Sequence, residues 1–348
     1  MITNSPPSNP PVAKKSPMRR VGRFSVTDKL GKGSNGTVFL GHDPVIDRPV
    51  AIKILGAAIG VADKKQQEQH FINEARAAGR LSHPNIVTIY DASSEGGTTF
   101  IAMEFLQGQD LRELMAGGKR FDIIEISNII SKVAEALAYA HENGVIHRDI
   151  KPANIFILPN NQPKVVDFGI ARAPNRVLDD GDDAAHTLFN NNIMGTPNYM
   201  SPEQALGKPV NALTDVYSLG VVMYEMLTLQ KPFHSNDIDK LLHQIASKIP
   251  KTPSEVNPKI PVKLSFIVMK AMQKDPVLRY SSAAEMALAL NKFLARDKRL
   301  KRKRPQNSLE PSKQYARTSG KSALFWLSVF LLLVAVGAVI ATLRRSLN

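Results

Sequence analysis

Between Phe24 and Glu104, short runs rich in β-branched residues alternate with Gly, Pro and Asp. Phe24–Leu30, Thr37–Gly41, Val50–Leu55, Ile86–Ala92 and Thr99–Glu104 read as strands. Lys64–Leu81, between the third and the fourth, carries apolar positions at helical spacing. Three strands, a helix and two more strands predict a small, mostly antiparallel lobe over about 24–105. Beyond Gly108 the period changes. Asp122–Asn143 is a long amphipathic helix closed by Gly144, the residue a helix C-terminus favours. Short runs follow at Val145–His147, Ile155–Leu158 and Lys164–Val166. Helical spacing then recurs in Asp215–Leu229, Asp237–Lys248, Pro261–Met272 and Ser282–Leu294. The pattern predicts a second, mainly helical lobe over about 106–297, hence an α+β body of two lobes without internal repeats.

The two ends differ from this body. Residues 1–23, rich in Pro, Ser and Asn at the start, have little to bury and read as a disordered basic arm. Residues 298–322 are a basic and polar linker. Ala323–Leu343 then runs 21 residues without a charge, enough at ~1.5 Å per residue to cross a ~30 Å hydrocarbon layer. A buried core helix is the alternative; a segment apolar all round, behind a polar linker, favours a transmembrane helix. Residues 344–348 are a short tail.

Charge sharpens the division. The chain has a formal net charge of +14, but residues 24–297 hold 29 basic and 30 acidic groups. A near-neutral body with basic ends argues against a nucleic-acid partner, which calls for a basic face on the folded part. The basic residues from Lys298 to Lys321 outnumber Arg344 and Arg345 beyond the helix. The positive-inside bias therefore places the body in the cytoplasm, on a single-pass anchor in the cell membrane. The same flank can attract anionic lipid. Gly337 and Ala341 form a small-xxx-small pair that leaves room for a homodimer. There is no cysteine, which removes disulfides, thiolate nucleophiles and cysteine zinc sites. The first twenty residues hold no apolar run, so no secretory leader is expected.

Chemistry begins after Leu30 with Gly31-Lys32-Gly33-Ser34-Asn35-Gly36-Thr37-Val38. Such a run fits a dinucleotide turn or a plain hairpin as readily as a phosphate flap. Here it lies between two strands rather than opening a helix, so backbone amides at a hairpin tip can close over phosphate oxygens. In Val50-Ala51-Ile52-Lys53, strand alternation puts Lys53 on the face of Ala51. A buried ammonium needs an anion; Glu74, on the helix that follows, is the natural partner, leaving Lys53 to hold α- and β-phosphates.

The stretch His147-Arg148-Asp149-Ile150-Lys151-Pro152-Ala153-Asn154, followed by Asp167-Phe168-Gly169, completes a phosphoryl-transfer set. That reaction needs alignment and charge neutralisation more than covalent help. Asp149 can accept the proton of an attacking hydroxyl. Lys151 adds positive charge where charge shifts on the transferring group. Asn154 and Asp167 offer hard oxygens to magnesium.

With these motifs in this order, residues 24–297 resemble the eukaryotic-type (Hanks-type) serine/threonine protein kinases. The resemblance implies the two-lobed kinase fold, ATP in the cleft with Mg2+ (Mn2+ as the substitute ion), and protein substrates. It implies an adenine pocket of Val38, Ala51, Met103 and Phe156, with backbone groups of Glu104 and Leu106 reading the base edge and Asp110 near the ribose. It also pairs Glu203 with Arg279, sets Asp215 to brace the catalytic loop, and hydrogen-bonds Thr196 to Asp149 and Lys151. Ser201-Pro202-Glu203 departs from the family's Ala-Pro-Glu. Lys151 and the segment Gly195–Met200 favour Ser or Thr over Tyr as acceptor. Bacterial relatives of this type often join such a domain to one membrane helix.

Arg148, beside Asp149, places a cation under segment 170–195, whose one hydroxyl is Thr187. Phosphate on Thr187 would pair with Arg148; Asp179, Asp180, Asp182 and Asp183 would supply standing negative charge instead. Two other readings remain: a catalytically dead, membrane-tethered scaffold, at odds with Lys53, Asp149, Asn154 and Asp167 all being present, and a dinucleotide-binding oxidoreductase, resting on the glycine run alone.

Overall fold

The computed structural model describes residues 19–33, 36–56, 61–168 and 197–303. The chain divides into compact units Met1–Asp297 and Lys298–Asn348.

The small lobe is a six-stranded sheet of β1 (Arg19–Val21), β2 (Phe24–Gly33), β3 (Gly36–Asp43), β4 (Arg48–Leu55), β5 (Ile89–Glu95) and β6 (Thr98–Glu104). Its order is β1-β2-β3-β4-β6-β5, with every neighbour antiparallel. Helix α1 (Val61–Ala78) joins β4 to β5. Alternation along β4 gives the sheet two characters. Val50 and Ile52 enter a core with Phe24, Phe100 and Ala102. Ala51 turns the other way, to Val87 and Met103.

Two expectations are corrected here. Arg19–Val21, assigned to the disordered arm 1–23, pair with Phe24–Val26, and Val21 is buried. Gly22 makes the turn at φ +56°, and three residues are too few to show an alternating pattern. The strand expected over Ile86–Ala92 starts at Ile89. Ile86 instead forms a parallel bridge with Val165: the Val165 amide donates to Asn85 O at 2.8 Å, and the Val87 amide donates to Val165 O at 3.0 Å.

The large lobe starts with β7 (Gln109–Asp110) and helix α2 (Leu111–Ala116), followed by helix α3 (Ile123–Glu142). Asp122 caps α3: Oδ1 accepts the amides of Ile124 and Glu125, and Glu125 Oε2 accepts the Asp122 amide, a reciprocal arrangement that satisfies the helix's first donors. Strand β8 (Ile155–Ile157) pairs with β7 on one side and with β9 (Pro163–Val165) on the other in a small sheet. Then come α4 (Pro202–Ala205), α5 (Ala212–Thr228), α6 (Ile238–Ser247), α7 (Pro253–Val256), α8 (Val262–Ala271) and α9 (Ala283–Lys303). Helix α5 is buried on nearly every side, as befits a central core helix; Ile126, Ile130, Val133 and Leu137 of α3 belong to the same core.

Helix α9 continues past Leu294, the expected end, to Lys303. No Gly or Pro interrupts it before Pro305, and Ala, Arg, Lys and Leu favour helix. Among the described residues no helix is long and apolar enough to cross a membrane; segment 323–343 lies outside them, as do Ser34, Asn35, Thr187 and Thr196.

Candidate active site

A cavity of about 1030 Å³ runs under the sheet and over the first turns of the large lobe. Leu30, Gly31 and Lys32 of β2 line it, with Val38, Ala51 and Met103. β2 and β3 meet at Gly33 and Gly36. Gly36 stands at φ +153°, where a Cβ would collide with the carbonyl of Ile54; only glycine fits there. The cavity continues along Glu104, Leu106 and Asp110 to Phe156. The Glu104 amide is already donated to Thr88 O at 2.8 Å, which leaves the carbonyl as its offering to a base. Both carboxylate oxygens of Asp110 are engaged within the chain, by the Glu113 amide and by Arg112.

Lys53 is 4% exposed, with its ammonium 2.8 Å from Asp167 Oδ1. Burial pushes the Asp167 carboxyl up, but Lys53, with smaller contributions from His147 and Lys151, outweighs it and holds the carboxyl below the ordinary range. The side chain of Glu74, the partner expected from sequence, lies outside the described residues. Asp167 stands at φ +60° and Arg148 at φ +65°, strained positions of a kind that gathers at functional sites.

The loop between α3 and β8 is tied from below. Asp215, fully buried, accepts the amides of His147 and Arg148, each at 2.8 Å, and pairs with His141 Nε2 at 2.8 Å. His147 Nδ1 accepts the Asp149 amide, so its Nε2 carries the proton and donates to Val166 O at 2.9 Å. Asp149 Oδ2 receives Lys151 Nζ at 2.6 Å and Asn154 Nδ2 at 3.2 Å; Asn154 Nδ2 also donates to Asp149 O.

That arrangement tests whether a divalent cation suits the site. Asn154 uses its amide nitrogen on Asp149 and keeps Oδ1 as a ligand; Asp167 keeps a carboxylate oxygen beyond the one on Lys53. Both residues line the one cavity, and hard oxygens suit Mg2+ or Mn2+. Among the described residues no cluster of three His, Cys, Asp or Glu could hold a metal. An ion here would complete its shell with phosphate oxygens and water.

Farther along, Tyr199 donates to Glu225 Oε2 at 2.6 Å, and both line the cavity. Away from the cavity, Arg279 makes a two-pronged bond to Glu203 at 2.9 and 2.7 Å. Burial raises the Glu203 carboxyl, but Arg279 outweighs it and holds it low. Arg148 lines the cavity, and its buried Nε has no hydrogen-bond partner among the described residues.

Sequence reasoning missed Val87 and Val166, which join Ala51, Met103, Val38 and Leu106 in one apolar cluster beside the cavity. Val166 immediately precedes Asp167, a signal that could have found it; Val87 carried none.

The family model described as protein kinase domain matches residues 24–292. The serine/threonine-protein kinase PknB of Mycobacterium leprae is 39% identical over 268 residues, 76% of this chain and 42% of PknB. PrkC of Bacillus subtilis, also a serine/threonine-protein kinase, is 36% identical over 266 residues, 76% of this chain and 39% of PrkC. The chain thus spans about two fifths of the length of these curated relatives. Among solved structures, the PknI kinase domain of Mycobacterium tuberculosis superimposes with a TM-score of 0.61 at 26% identity, covering 81% of this chain and 99% of that domain.

Proposed function

Because the chain belongs to the protein kinase domain family, we propose that it is a serine/threonine protein kinase that moves the terminal phosphoryl group of ATP onto protein hydroxyls. One observation carries the reading: Lys53, from the small lobe, and Asp149, Asn154 and Asp167, about a hundred residues later, line a single cavity beneath a glycine hairpin. Asp149 takes the proton of the acceptor hydroxyl. The hydroxyl oxygen bonds to the γ-phosphorus as the bond to the β–γ bridging oxygen breaks, and ADP leaves. Lys53 holds the α- and β-phosphates, and Lys151 offsets charge on the transferred group. Asn154 and Asp167 would hold Mg2+, or Mn2+ in its place, which neutralises charge on the phosphate oxygens. Val38, Ala51, Met103 and Phe156 enclose the adenine.

The test is phosphosite mapping after incubating the full chain with Mg-ATP, beside Asp149→Asn. Phosphoserine and phosphothreonine are expected in the wild type and not in the variant. Phosphotyrosine as the main product, or equal incorporation in the variant, sinks the assignment.

The proposal extends to regulation and placement. Arg148, with an unpartnered Nε beside the catalytic loop, supports activation by autophosphorylation at Thr187; Thr187→Ala should lower activity toward a protein acceptor, and unchanged activity refutes the switch. Thr196 would hydrogen-bond Asp149 and Lys151, and Glu74 would steady Lys53. The charge-free run 323–343 and its basic flank support a single-pass cell-membrane anchor with the kinase domain, 24–297, in the cytoplasm. Alkaline extraction of membranes should leave the full chain in the pellet and release a chain ending at residue 320.

A further inference from the structure

We propose that Lys164 is a positioning residue for nucleotide binding, an inference that rests on reading the cavity as an ATP site. Lys164 does not itself line the cavity. Its ammonium lies 2.7 Å from Glu104 Oε2 and donates to Ile86 O at 3.3 Å. The same Glu104 oxygen accepts the Thr88 amide at 3.2 Å, while the Glu104 amide donates to Thr88 O. Glu104 is therefore held by main chain and side chain together. It is the last residue of β6, where the chain leaves the sheet to form the cavity wall at Phe105 and Leu106.

At its other end Lys164 sits in β9, three residues before Asp167. The residues between are bonded in both directions. Val165 bridges to the Asn85–Val87 segment of the small lobe. The Val166 amide donates to Asn154 O at 3.0 Å, and the Val166 carbonyl accepts His147 Nε2. One ion pair thus joins the end of the strand that faces the base to the segment that leads into Asp167 and bonds Asn154 through Val166.

An ordinary surface ion pair would have little effect, because water screens it. This one is shielded, with Lys164 11% and Glu104 26% exposed. Removing it takes no group from the phosphates, the metal ligands or Asp149. What falls is the fraction of molecules in which base-reading backbone and metal ligands stand in register, and apparent affinity falls with that fraction.

Calorimetric titration of the full chain with Mg-ATP, alongside initial rates at saturating ATP, tests this. In Lys164→Met the dissociation constant should rise roughly five- to tenfold, the penalty for a binding-competent state reduced to a minority, with kcat changed less than about twofold. Lys164→Arg keeps charge and reach and should restore near wild-type affinity. An unchanged affinity in Lys164→Met, an equal loss in Lys164→Arg, or an effect confined to the melting temperature overturns the inference. A wild-type chain that does not bind Mg-ATP overturns the kinase reading itself.

Discussion

The carboxylate of Asp215 accepts the backbone amide of Arg148 at 2.8 Å, and Arg148 stands in the left-handed region at φ +65°. The other oxygen takes the amide of His147. A buried acid in the central helix of the large lobe therefore imposes the turn that presents Asp149 to the cavity.

Asp215→Ala should unfold that turn from beneath. It leaves two amides without an acceptor, at about 1–3 kcal/mol each, and releases the strain at Arg148. Urea denaturation should show a loss of roughly 2–5 kcal/mol, and phosphoryl transfer should fall even where the protein remains folded.

Asp149→Asn separates chemistry from binding. The amide cannot take the hydroxyl proton, so kcat should fall by roughly 10²–10⁴, while calorimetry should find affinity for Mg-ATP within about twofold of wild type.

Arg279 donates five hydrogen bonds, two to Glu203 and three to the carbonyls of Leu213, Gln273 and Lys274. Lysine has three donors and no fork. Arg279→Lys keeps the charge but leaves at least two of the five acceptors without a donor, which should cost roughly 2–6 kcal/mol. Because the Glu203 carboxyl is held below its ordinary value, its contribution is present at neutral pH. It disappears as pH falls below the unfolded carboxyl's range and through the folded one. The stability gap between wild type and variant should narrow over that acidic window.

In Lys274 it is the charged form that burial disfavours. Burial, and then the charge of Arg279, lower its pKa to about 8, while its ammonium donates to Ile245 O at 2.6 Å. Unfolded, the lysine keeps its proton to a higher pH; between about 8 and 10 the unfolded state binds more protons, so stability rises with pH. The melting temperature of the wild type relative to Lys274→Met should climb across that window and stay level from pH 6 to 7.

The catalytic set was legible because the chemistry is written locally. Asp149, Lys151 and Asn154 fall within six residues, a length over which backbone geometry alone limits where side chains can go. Lys53 was legible because strand alternation assigns a face, and α3 because Asp122 and Gly144 mark its ends. What stayed hidden lies across the lobe boundary. Lys164 on a three-residue strand reads as an outward-facing cation, and Val87 as one more buried apolar residue.

The order of motifs determined by itself that the chain has a glycine hairpin, a buried lysine and acids suited to phosphoryl transfer, since each needs only neighbours in sequence. Tertiary structure alone decided that Lys53 meets Asp167, that Asp215 holds Arg148, and that Lys164 ties Glu104 to the strand that leads into Asp167. The reason is physical. Hydrophobic spacing reports that a position is buried, whereas which group it then faces depends on how two lobes dock, and one pattern of spacing is compatible with many partners.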